Sequence, residues 1–353
     1  MEVNDVRRVT ILGAGLMGHG IAQIAAVAGF DVIVRDVSQE FLDKGRQEIE
    51  KSLRRLVERG RMTQDAAKGI LGRIGMTVSL PDAVKGADLV VEAIPENLEI
   101  KRNVWKEVSD QAKGDALLAT NTSSISITKI AEAVKRPQRF VGMHFFNPPV
   151  VMRLVEVIPG AKTDAQTVKL AEALAVKMGK TPVAVKKDSP GFVVNRVLVT
   201  YLNEATKLID GGRWTKEQID GAMQYGAKMP MGPFMLSDLI GMDIVYNILK
   251  VFEEDLGRAY RPAKSIEALF KANKLGRKTG EGFYSYKEQP TASEKAGEGF
   301  DVNLLLKPFV AEAEKVVREG VADKDAVDTA MKLGANLPAG PFEMARNLGW
   351  SPK

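Results

Sequence analysis

The chain has 353 residues, which is enough for two or more domains that each bury a core of their own. Its charged fraction of 27% and hydrophobic fraction of 45% are those of an ordinary globular protein. The net charge of +5 is mild, and the Lys and Arg residues are spread along the chain, which argues against a nucleic-acid-binding protein.

Cysteine is absent, so disulfide bonds and thiolate chemistry are excluded. No apolar run approaches the roughly 18 residues of a membrane-spanning helix. Residues Met1–Asp5 do not resemble the basic start of a signal peptide. We therefore expect a cytoplasmic enzyme with no membrane and no nucleic acid among its partners.

The stretch from Val9 to Asp36 organises the sequence. Val9–Leu12 is apolar or β-branched and predicts a buried strand, which leads into Gly13-Ala14-Gly15-Leu16-Met17-Gly18. A helical pattern follows, then a second strand at Asp31–Arg35, and Asp36 stands at the end of that strand. This is the G-x-G-x-x-G arrangement of a dinucleotide-binding βαβ unit, with an acidic residue at the expected distance from the last glycine.

Each glycine of this turn has a mechanical role. Gly13 allows the tight turn, Gly15 lets a pyrophosphate approach the backbone, and Gly18 lets helix and strand pack closely. The helix N-terminus offers N–H groups and a partial positive charge to the phosphates. Asp36 is suited to accept hydrogen bonds from a ribose 2′-hydroxyl. The alternative is a glycine-rich turn with a purely structural role.

The acidic residue also bears on which dinucleotide is bound. A carboxylate at Asp36 would repel a 2′-phosphate, so it favours NAD over NADP. Arg35 beside it weakens that preference, because an arginine can bind the same phosphate. The glycine pattern alone is also compatible with a flavin dinucleotide as the ligand.

Strands and helices alternate after Asp36. Ser38 is suited to cap a long helix that runs to about Arg59, and the basic residues on that helix are typical of a solvent-exposed face. Further strands are predicted at Met76–Val78, Ala87–Ala93, Ala116–Thr120, Phe140–His144, Leu154–Ile158 and Thr181–Val185. Helices are predicted at Thr63–Leu71, Glu99–Ala112 and Val168–Met178. Thr163 and Gln166 have the spacing of a capping box before the last of these helices. The alternation predicts a doubly wound, parallel Rossmann-type α/β domain that binds ligands at the carboxyl ends of its strands.

The pattern changes at Asp188, after which the chain looks helical. Ser189 is a good N-cap, and Pro190 suits the first position of the helix that follows it. Thr215 and Gln218 have the spacing of a second capping box. Helices are expected at Phe192–Ile209, Thr215–Tyr225, Leu236–Phe252 and Ala263–Ala272. We therefore predict a domain boundary near residue 187.

The helical region contains an internal repeat. Glu204-Ala205 and, further on, Gly232-Pro233-Phe234 return as Glu312-Ala313 and Gly340-Pro341-Phe342, at one constant offset that needs no gap. The predicted organisation is an NAD-binding domain at 1–187, a helical substrate or dimerisation domain at 188–289, and a partial second helical copy at 297–353. Residues 290–297 are the predicted linker.

Two histidines are present, and one of them lies where catalysis is expected. His144 ends a strand at the ligand-binding edge, whereas His19 follows the glycine turn on the first helix. Oxidation of an alcohol by a nicotinamide needs a base that works near neutral pH, and histidine is suited to that. Glu156 interrupts an apolar strand, so it needs a buried partner and is a candidate to hold the other ring nitrogen of His144. A catalytic pair, a structural buried pair and separate surface positions all stay open at this point.

Six motifs then occur in a fixed order along the chain. They are residues 13–18, Val91-Glu92-Ala93-Ile94-Pro95-Glu96-Asn97, Asn121-Thr122-Ser123-Ser124, His144-Phe145-Phe146-Asn147-Pro148, Ser189-Pro190-Gly191-Phe192-Val193-Val194-Asn195-Arg196 and Gly276-Arg277-Lys278-Thr279-Gly280-Glu281-Gly282-Phe283-Tyr284. In type and order they resemble those of the L-3-hydroxyacyl-coenzyme A dehydrogenase family. The resemblance covers roughly residues 8 to 286.

The resemblance implies NAD-dependent oxidation of a 3-hydroxyacyl-CoA, with short acyl chains as the default expectation and no metal. It implies that His144 and Glu156 form a catalytic dyad and that Ser123 and Asn195 meet the reacting end of the substrate. The residues expected near NAD are Gly13, Gly15, Leu16, Met17, Gly18, Asp36, Glu96, Lys101, Ser123 and Asn147. The coenzyme A moiety is expected to meet Ser52 and Arg59, the latter at a position that is often lysine in the family.

The second helical copy departs from the simplest members of that family, which carry one helical domain and dimerise through it. It resembles longer members, in which a second copy follows and an enoyl-CoA hydratase module is fused in some cases. We therefore expect either a monomer whose second copy packs on the first as an internal pseudo-dimer, or a homodimer. The position at which the chain stops fits either a short natural form or a part of such a fusion.

Other functions stay open from the sequence alone. One is a catalytically idle NAD-binding structural protein, and another is a sugar-acid dehydrogenase on the same scaffold. A basic nucleic-acid-binding protein is a further alternative, but the sequence lacks a stripe of basic and aromatic residues.

Overall fold

Two compact units, Met1–Asp188 and Ser189–Lys353, make up the computed structural model of the chain, which describes residues 1–350. The first unit is an α/β domain and the second is helical. Buried apolar side chains occur throughout both units. The division falls beside the boundary near 187 that the sequence predicts.

An eight-stranded sheet forms the centre of the first unit. Its strands are β1 (Arg8–Leu12), β2 (Asp31–Arg35), β3 (Ile74–Thr77), β4 (Leu89–Glu92), β5 (Leu117–Thr120), β6 (Phe140–Phe145), β7 (Leu154–Pro159) and β8 (Thr181–Ala184). The order across the sheet is β3-β2-β1-β4-β5-β6-β7-β8, and β1 to β6 run parallel. The direction of winding reverses between β1 and β4, so their carboxyl ends form the point at which such sheets bind ligands. β3 begins two residues earlier than predicted.

Helices connect these strands. They are α1 (Leu16–Val27), α2 (Gln39–Glu58), α3 (Gln64–Gly72), α4 (Leu80–Val84), α5 (Leu98–Gln111), α6 (Ile127–Ala131) and α7 (Ala165–Lys177). The predicted cap of α2 is confirmed, because the Ser38 hydroxyl accepts the N–H of Phe41 at 3.3 Å. β4 and β5 are buried along their whole length, as expected of parallel strands that are covered on both faces.

The last two strands differ from the predicted parallel arrangement. β7 pairs antiparallel to β6, and β8 pairs parallel to β7. The connection between β6 and β7, residues 146–153, is too short to hold a crossover helix, so the chain returns antiparallel. The predicted doubly wound α/β class is confirmed with a mostly parallel sheet. The reversal sets His144 directly opposite Glu156 in the strand register.

Two predicted helix caps are wrong, because each hydroxyl has a partner outside the helix. The Thr163 hydroxyl donates to the Phe140 carbonyl at 2.5 Å, and α7 begins at Ala165, three residues before the predicted Val168, without a side-chain cap. The Ser189 hydroxyl accepts from a guanidinium nitrogen of Arg196 at 3.5 Å, and the first helix of the second unit begins only at Val194. At both positions the hydroxyl group therefore makes a tertiary contact instead of the local capping bond that the sequence predicts.

The second unit is helical in its described residues 189–350. Its helices are α8 (Val194–Asp210), α9 (Lys216–Gly221), α10 (Pro233–Ile240), α11 (Met242–Leu256), α12 (Lys264–Lys271), α13 (Asn303–Arg318), α14 (Lys324–Gly334) and α15 (Pro341–Asn347). The capping box of Thr215 and Gln218 is confirmed, and a π-helical turn at Ala222–Gly226 continues α9. The single helix predicted around Leu236–Phe252 is instead divided at Gly241, whose φ is 106°. Within residues 1–350, no helix combines the length and apolarity needed to cross a bilayer.

The second copy keeps the helix pattern of the first at the same constant offset that the sequence repeat shows. Helices α13, α14 and α15 repeat α8, α9 with its π-helical turn, and α10, and their equivalent bounds agree within one residue. Helices α8 and α13 pack against each other. The two copies therefore share a core inside the second unit.

A buried aspartate caps a helix in the same way in both copies. Asp220 accepts two N–H groups of the first turn of α10 at 2.9 and 3.2 Å, and Asp328 does the same for α15 at 2.8 and 3.1 Å. The residue before each helix is glycine, because a Cβ on Gly232 or Gly340 would lie 2.3 Å from the aspartate oxygen. The repeated Gly-Pro-Phe motif is thus the helix start that this aspartate requires.

Burial raises the pKa of Asp220 from its ordinary 3.8 to about 7. This value is the net result, since the N–H groups of α10 and the Tyr284 hydroxyl lower the pKa and the nearby Asp238 adds to its increase. Since the pKa is higher in the folded than in the unfolded state, the protonated form stabilises the fold. That contribution is complete below about pH 4 and is lost as the pH rises through about 7.

We expect the free energy of unfolding of the wild type to fall between pH 5 and pH 8 by about 2–3 kcal/mol on account of Asp220. The variant Asp220→Asn cannot ionise and should have a flatter profile over that range. Thermal unfolding at pH 5, 6, 7 and 8 measures both. Parallel profiles for the two proteins would contradict the assignment.

Candidate active site

The glycine turn between β1 and α1 is shaped by close backbone contacts. A Cβ on Gly13 would lie 2.4 Å from the carbonyl oxygen of Ala93, and a Cβ on Gly18 would lie 1.8 Å from the carbonyl oxygen of Gly13. Gly13 also has a φ of 101°, which favours glycine. A Cβ on Gly15, by contrast, would meet open space. The turn is therefore closed on its protein side and accessible to a ligand at Gly15.

The first turn of α1 faces the same space with backbone donors. Gly15 is the N-cap, and within the described chain no side chain caps this helix and no acidic residue occupies its first turn. Leu16 at its start is 63% exposed. An uncapped helix N-terminus favours an anion, so a dinucleotide pyrophosphate fits here.

Asp36 lies beside this turn, at the end of β2. Its carboxylate accepts the N–H of Ala14 at 2.6 Å and the N–H of Val37 at 2.6 Å. Each oxygen still has a lone pair that can accept a ribose hydroxyl. The neighbouring Arg35 donates from Nε to the carbonyl of Val78 at 3.3 Å, so one nitrogen of its guanidinium is engaged by the protein. This arrangement fits NAD.

A buried charge network lies at the exits of β4 and β5. Glu92 is fully buried, and Lys101 Nζ lies 2.5 Å from one of its oxygens. Thr120 donates to the other oxygen at 2.8 Å, as does the Trp105 indole at 3.2 Å, and the N–H of Ile94 completes the set. Such pairing is what a buried carboxylate requires. Sequence analysis assigned no role to Glu92, although it ends an apolar strand much as Glu156 interrupts one.

Glu96 orders the loop that follows β5. Its Oε1 accepts the Thr122 hydroxyl at 2.6 Å and the N–H groups of Ser123 and Ser124 at 2.9 and 3.1 Å. Lys101 Nζ lies 3.3 Å from its other oxygen. Burial raises the pKa of Glu96, but the attraction of Lys101 and these hydrogen bonds outweigh it, so the pKa lies below its ordinary 4.5. Glu96 therefore stays ionised at neutral pH and holds the segment that carries Ser123.

His144 and Glu156 form a close buried pair between β6 and β7. The distance from His144 Nδ1 to Glu156 Oε2 is 2.7 Å, and the two side chains are 7% and 0% exposed. The ring of Phe146 lies against the imidazole, with 4.4 Å between ring centroids. A carboxylate on Nδ1 orients the ring and favours the tautomer with its lone pair on Nε2. The pair is thus arranged to take up a proton at Nε2.

The loop after β6 is tied to neighbouring elements. The side-chain oxygen of Asn121 accepts the N–H of Phe145 at 2.8 Å, and Lys180 donates to two loop carbonyls at 2.5 and 2.8 Å. Asn147 is exposed in this loop, and its peptide bond to Pro148 is cis. Sequence reasoning did not anticipate the role of Lys180, because its partners are carbonyl groups that no sequence pattern marks.

The other predicted substrate residues occupy two different helices. Ser52 is half-buried on α2, and Arg59 is exposed at the C-cap of that helix, two turns later and on the same helix face. Asn195 is partly exposed in the first turn of α8 and belongs to the second unit. The first unit thus brings His144 and Glu156 into contact and carries the glycine turn, Ser123 and Glu96 at the same edge of its sheet.

A doubly wound sheet with a ligand-accessible glycine turn and an acid at the end of β2 defines a dinucleotide-binding protein of the Rossmann type. The family model for the NAD binding domain of 3-hydroxyacyl-CoA dehydrogenase matches residues 8–189. The C-terminal domain of the same family matches residues 191–286 and again residues 299–351. The chain therefore belongs to the 3-hydroxyacyl-CoA dehydrogenase family.

Individual relatives agree with this assignment. A probable 3-hydroxybutyryl-CoA dehydrogenase of Deinococcus radiodurans is 49% identical over 78% of this chain and 99% of its own length. The fatty acid oxidation complex subunit alpha of Pseudomonas putida is 40% identical over 97% of this chain and 48% of its own length. The crystal structure of 3-hydroxybutyryl-CoA dehydrogenase from Escherichia coli K12 has a TM-score of 0.91 at 29% identity, covering 97% of this chain and 92% of that one.

Family membership makes the chain an NAD-dependent oxidoreductase that acts on 3-hydroxyacyl-CoA. The predicted family, enzyme class and cofactor are confirmed. Of the alternatives left open by the sequence, a flavin as the bound dinucleotide is thereby set aside.

Gly15 and Gly18 at the start of α1 provide a matched pair of substitutions. Gly18→Ala should lower the free energy of unfolding by about 2–4 kcal/mol, because its Cβ overlaps a backbone oxygen that cannot move freely. Gly15→Ala should leave the melting temperature almost unchanged but weaken NADH binding about tenfold, because its methyl group occupies the ligand's space. Thermal unfolding and fluorescence titration with NADH measure these effects. Equal melting temperatures for the two variants would contradict the backbone argument.

Proposed function

We propose that the enzyme interconverts (S)-3-hydroxyacyl-CoA and 3-oxoacyl-CoA with His144 as the general base or acid and Glu156 as the residue that orients it. The observation that carries this proposal is the buried 2.7 Å contact between His144 Nδ1 and Glu156 Oε2 at the ligand-binding edge of the sheet. Short acyl chains, as in 3-hydroxybutyryl-CoA and acetoacetyl-CoA, are the proposed substrates. Their support is the name of the Deinococcus radiodurans and Escherichia coli relatives.

His144 exchanges the proton of the 3-hydroxyl group. In the oxidation, Nε2 accepts that proton, the C3–O bond becomes a carbonyl, and the C3 hydrogen leaves with its electron pair. NAD, when bound, supplies the acceptor for that hydride. Glu156 stabilises the imidazolium that forms, since its carboxylate is already in contact with Nδ1. In the reverse direction, His144 protonates the oxygen at C3.

Other side chains position the reactants in this proposal. Glu96 and Lys101 hold the loop with Ser123, which donates a hydrogen bond to the hydroxyl or thioester oxygen of the substrate. Asn195 provides a second such contact. Gly13, Gly15, Leu16, Met17 and Gly18 hold the pyrophosphate of NAD, Asp36 holds its ribose, and Asn147 lies near its nicotinamide. Ser52 and Arg59 on α2 meet the coenzyme A moiety, where a guanidinium is suited to bind phosphate.

The experiment that tests the proposal is the oxidation of NADH with acetoacetyl-CoA, followed for the wild type and for His144→Gln. We expect turnover by the wild type and a fall in kcat of about 10²- to 10⁴-fold in the variant, because glutamine cannot transfer the proton. NADH binding, measured by fluorescence, should be retained in the variant, since the proposed contacts with the pyrophosphate and the ribose lie at the glycine turn and at the end of β2. A variant that keeps the wild-type rate would show that His144 is not the base.

Comparisons of cofactors and substrates separate the proposal from its alternatives. NADPH should replace NADH poorly, and a 3-oxoacyl-CoA with a longer chain should be reduced more slowly than acetoacetyl-CoA. Turnover of a free hydroxy acid in place of the CoA substrate would favour a sugar-acid dehydrogenase. NADH binding without turnover of any of these compounds would favour an idle structural protein.

We further propose that the second helical copy packs on the first as an internal pseudo-dimer, so that the chain is a monomer. Support comes from the packing of α13 on α8 and from the double match to the C-terminal domain of the family. A fused or separate enoyl-CoA hydratase partner is also part of the proposal. The Pseudomonas putida relative supports it, because the region equivalent to this chain is about half of a longer polypeptide there. A cytoplasmic location is proposed on the cysteine-free composition.

The pseudo-dimer predicts the mass of one chain in solution. Light scattering after size exclusion should give a mass near 38.5 kDa at micromolar concentration. The physical reason for the expectation is that α13 of the same chain already packs on α8. A stable mass of about twice that value, abolished by polar substitutions on α8, would contradict it.

A further inference from the structure

A buried ion pair joins the two helical copies at the start of α8. Arg196 Nε lies 2.5 Å from Glu312 Oε1, and these side chains are 1% and 2% exposed. The guanidinium also donates to the Tyr260 hydroxyl at 3.0 Å and to Glu319 at 3.2 Å, and Tyr260 in turn donates to Glu312 at 2.8 Å. Arg196 comes from the first copy, whereas both glutamates come from the second.

This network holds the turn of helix that carries a proposed substrate contact. Arg196 directly follows Asn195, and both lie in the first turn of α8. The N-cap of that helix is Val193, whose side chain has no polar atom with which to cap it. The preceding Gly191 and Phe192 have φ values of 72° and 53°, and for phenylalanine this conformation is strained. A strained backbone segment of this kind persists only when contacts around it fix its conformation. The buried ion pair of Arg196 is one such contact.

The second copy lacks the equivalent ion pair. At the constant offset of the repeat, the position of Arg196 is taken by Leu304, whose side chain is 42% exposed. The position of Glu312 corresponds to Glu204, which pairs with Lys207 near the surface at 2.7 Å. The charged contact is therefore present at the start of α8 and absent at the start of α13, although Asn303 occupies the position equivalent to Asn195 there.

The strained backbone conformation before α8 is likewise found in the first copy and not in the second. Among the described non-glycine residues, Phe192, Lys228, Asn273 and Asn336 have positive φ values. Lys228 and Asn336 are equivalent positions of the two copies, so the repeat preserves that feature. Phe300, the equivalent of Phe192, is not in this set. Strain and ion pair thus occur together at the start of α8.

We propose that Glu312 is a positioning residue for the dehydrogenase reaction, which holds Arg196 and thereby fixes the first turn of α8 with Asn195 in its productive orientation. The inference rests on the proposed contact of Asn195 with the substrate. It gives the second copy a part in the reaction, because a carboxylate from α13 supports the helical turn that presents Asn195.

The test is a double-mutant cycle of Glu312→Gln and Asn195→Ala. Glu312→Gln should lower kcat for acetoacetyl-CoA reduction about tenfold and leave the KM for NADH within about twofold, because it shifts one polar contact and leaves the first unit intact. In the Asn195→Ala background, the same substitution should change kcat by less than about twofold. An equal loss of kcat in both backgrounds, or an unchanged kcat in Glu312→Gln, overturns the proposal.

The matched control is Glu204→Gln, the equivalent position of the first copy, which should leave kcat unchanged. A second probe guards against poor folding of Glu312→Gln. Tyr260→Phe removes one hydroxyl from the network and keeps the ring that lies 5.1 Å from the guanidinium. It should lower kcat about threefold in the wild type and have no further effect in Asn195→Ala. An unchanged kcat in Tyr260→Phe, together with a loss in Glu312→Gln that persists in Asn195→Ala, assigns Glu312 to stability alone and overturns the proposal.

Failure of the proposed function has a different signature. If Asn195→Ala keeps the wild-type kcat, Asn195 does not meet the substrate, and the positioning role is overturned with it. If Asn195→Ala loses activity while Glu312→Gln and Tyr260→Phe do not, the proposed function stands and only the positioning role is wrong.

Discussion

The antiparallel return of β7 along β6 is the constraint on which the proposed active site depends. It sets His144 and Glu156 opposite each other, with 2.7 Å between the imidazole and a fully buried carboxylate. A buried carboxylate that lacks a partner costs several kcal/mol, so the strand needs the imidazole for its stability. The contact that compensates the buried carboxylate therefore also holds the ring in one orientation, so the same interaction stabilises the fold and orients the proposed catalytic base.

Carboxylates with compensated charge recur along this edge of the sheet. Lys101 serves both Glu92 and Glu96, which lie at the exit of β4, and Glu96 also holds the loop after β5. Neighbouring parallel strands end side by side, so their exit loops meet at this edge. Paired charges keep those loops in place before any ligand arrives, which is the preorganisation that catalysis requires.

The two helical copies share the capping of their helix starts but differ in their buried ion pairs. Asp220 and Asp328 make the same capping bonds, because any helix that starts with Gly-Pro in this setting leaves N–H groups to be satisfied. Arg196 has no charged equivalent in the second copy, where Leu304 occupies its position. The capping aspartate is thus repeated in both copies, whereas the buried arginine occurs at the start of α8 and not at the start of α13.

The sequence by itself determined the α/β class, the glycine turn, the cap at Ser38, the capping box at Thr215 and the internal repeat. These depend on periodicity and on contacts within a few turns of chain, which a sequence displays directly. Resemblance to a family supplied Glu96, Lys101 and Ser123, which local patterns do not mark.

Only the tertiary structure decided the direction of β7, and with it the pairing of His144 with Glu156. It also assigned Thr163 and Ser189 to partners outside the helices they were expected to cap, and it joined Arg196 to Glu312, which are far apart along the chain. A polar side chain takes the partner that folding brings nearest, and that partner is set by how distant segments pack. Sequence therefore specified which residues are able to do the chemistry, and packing specified which of them meet.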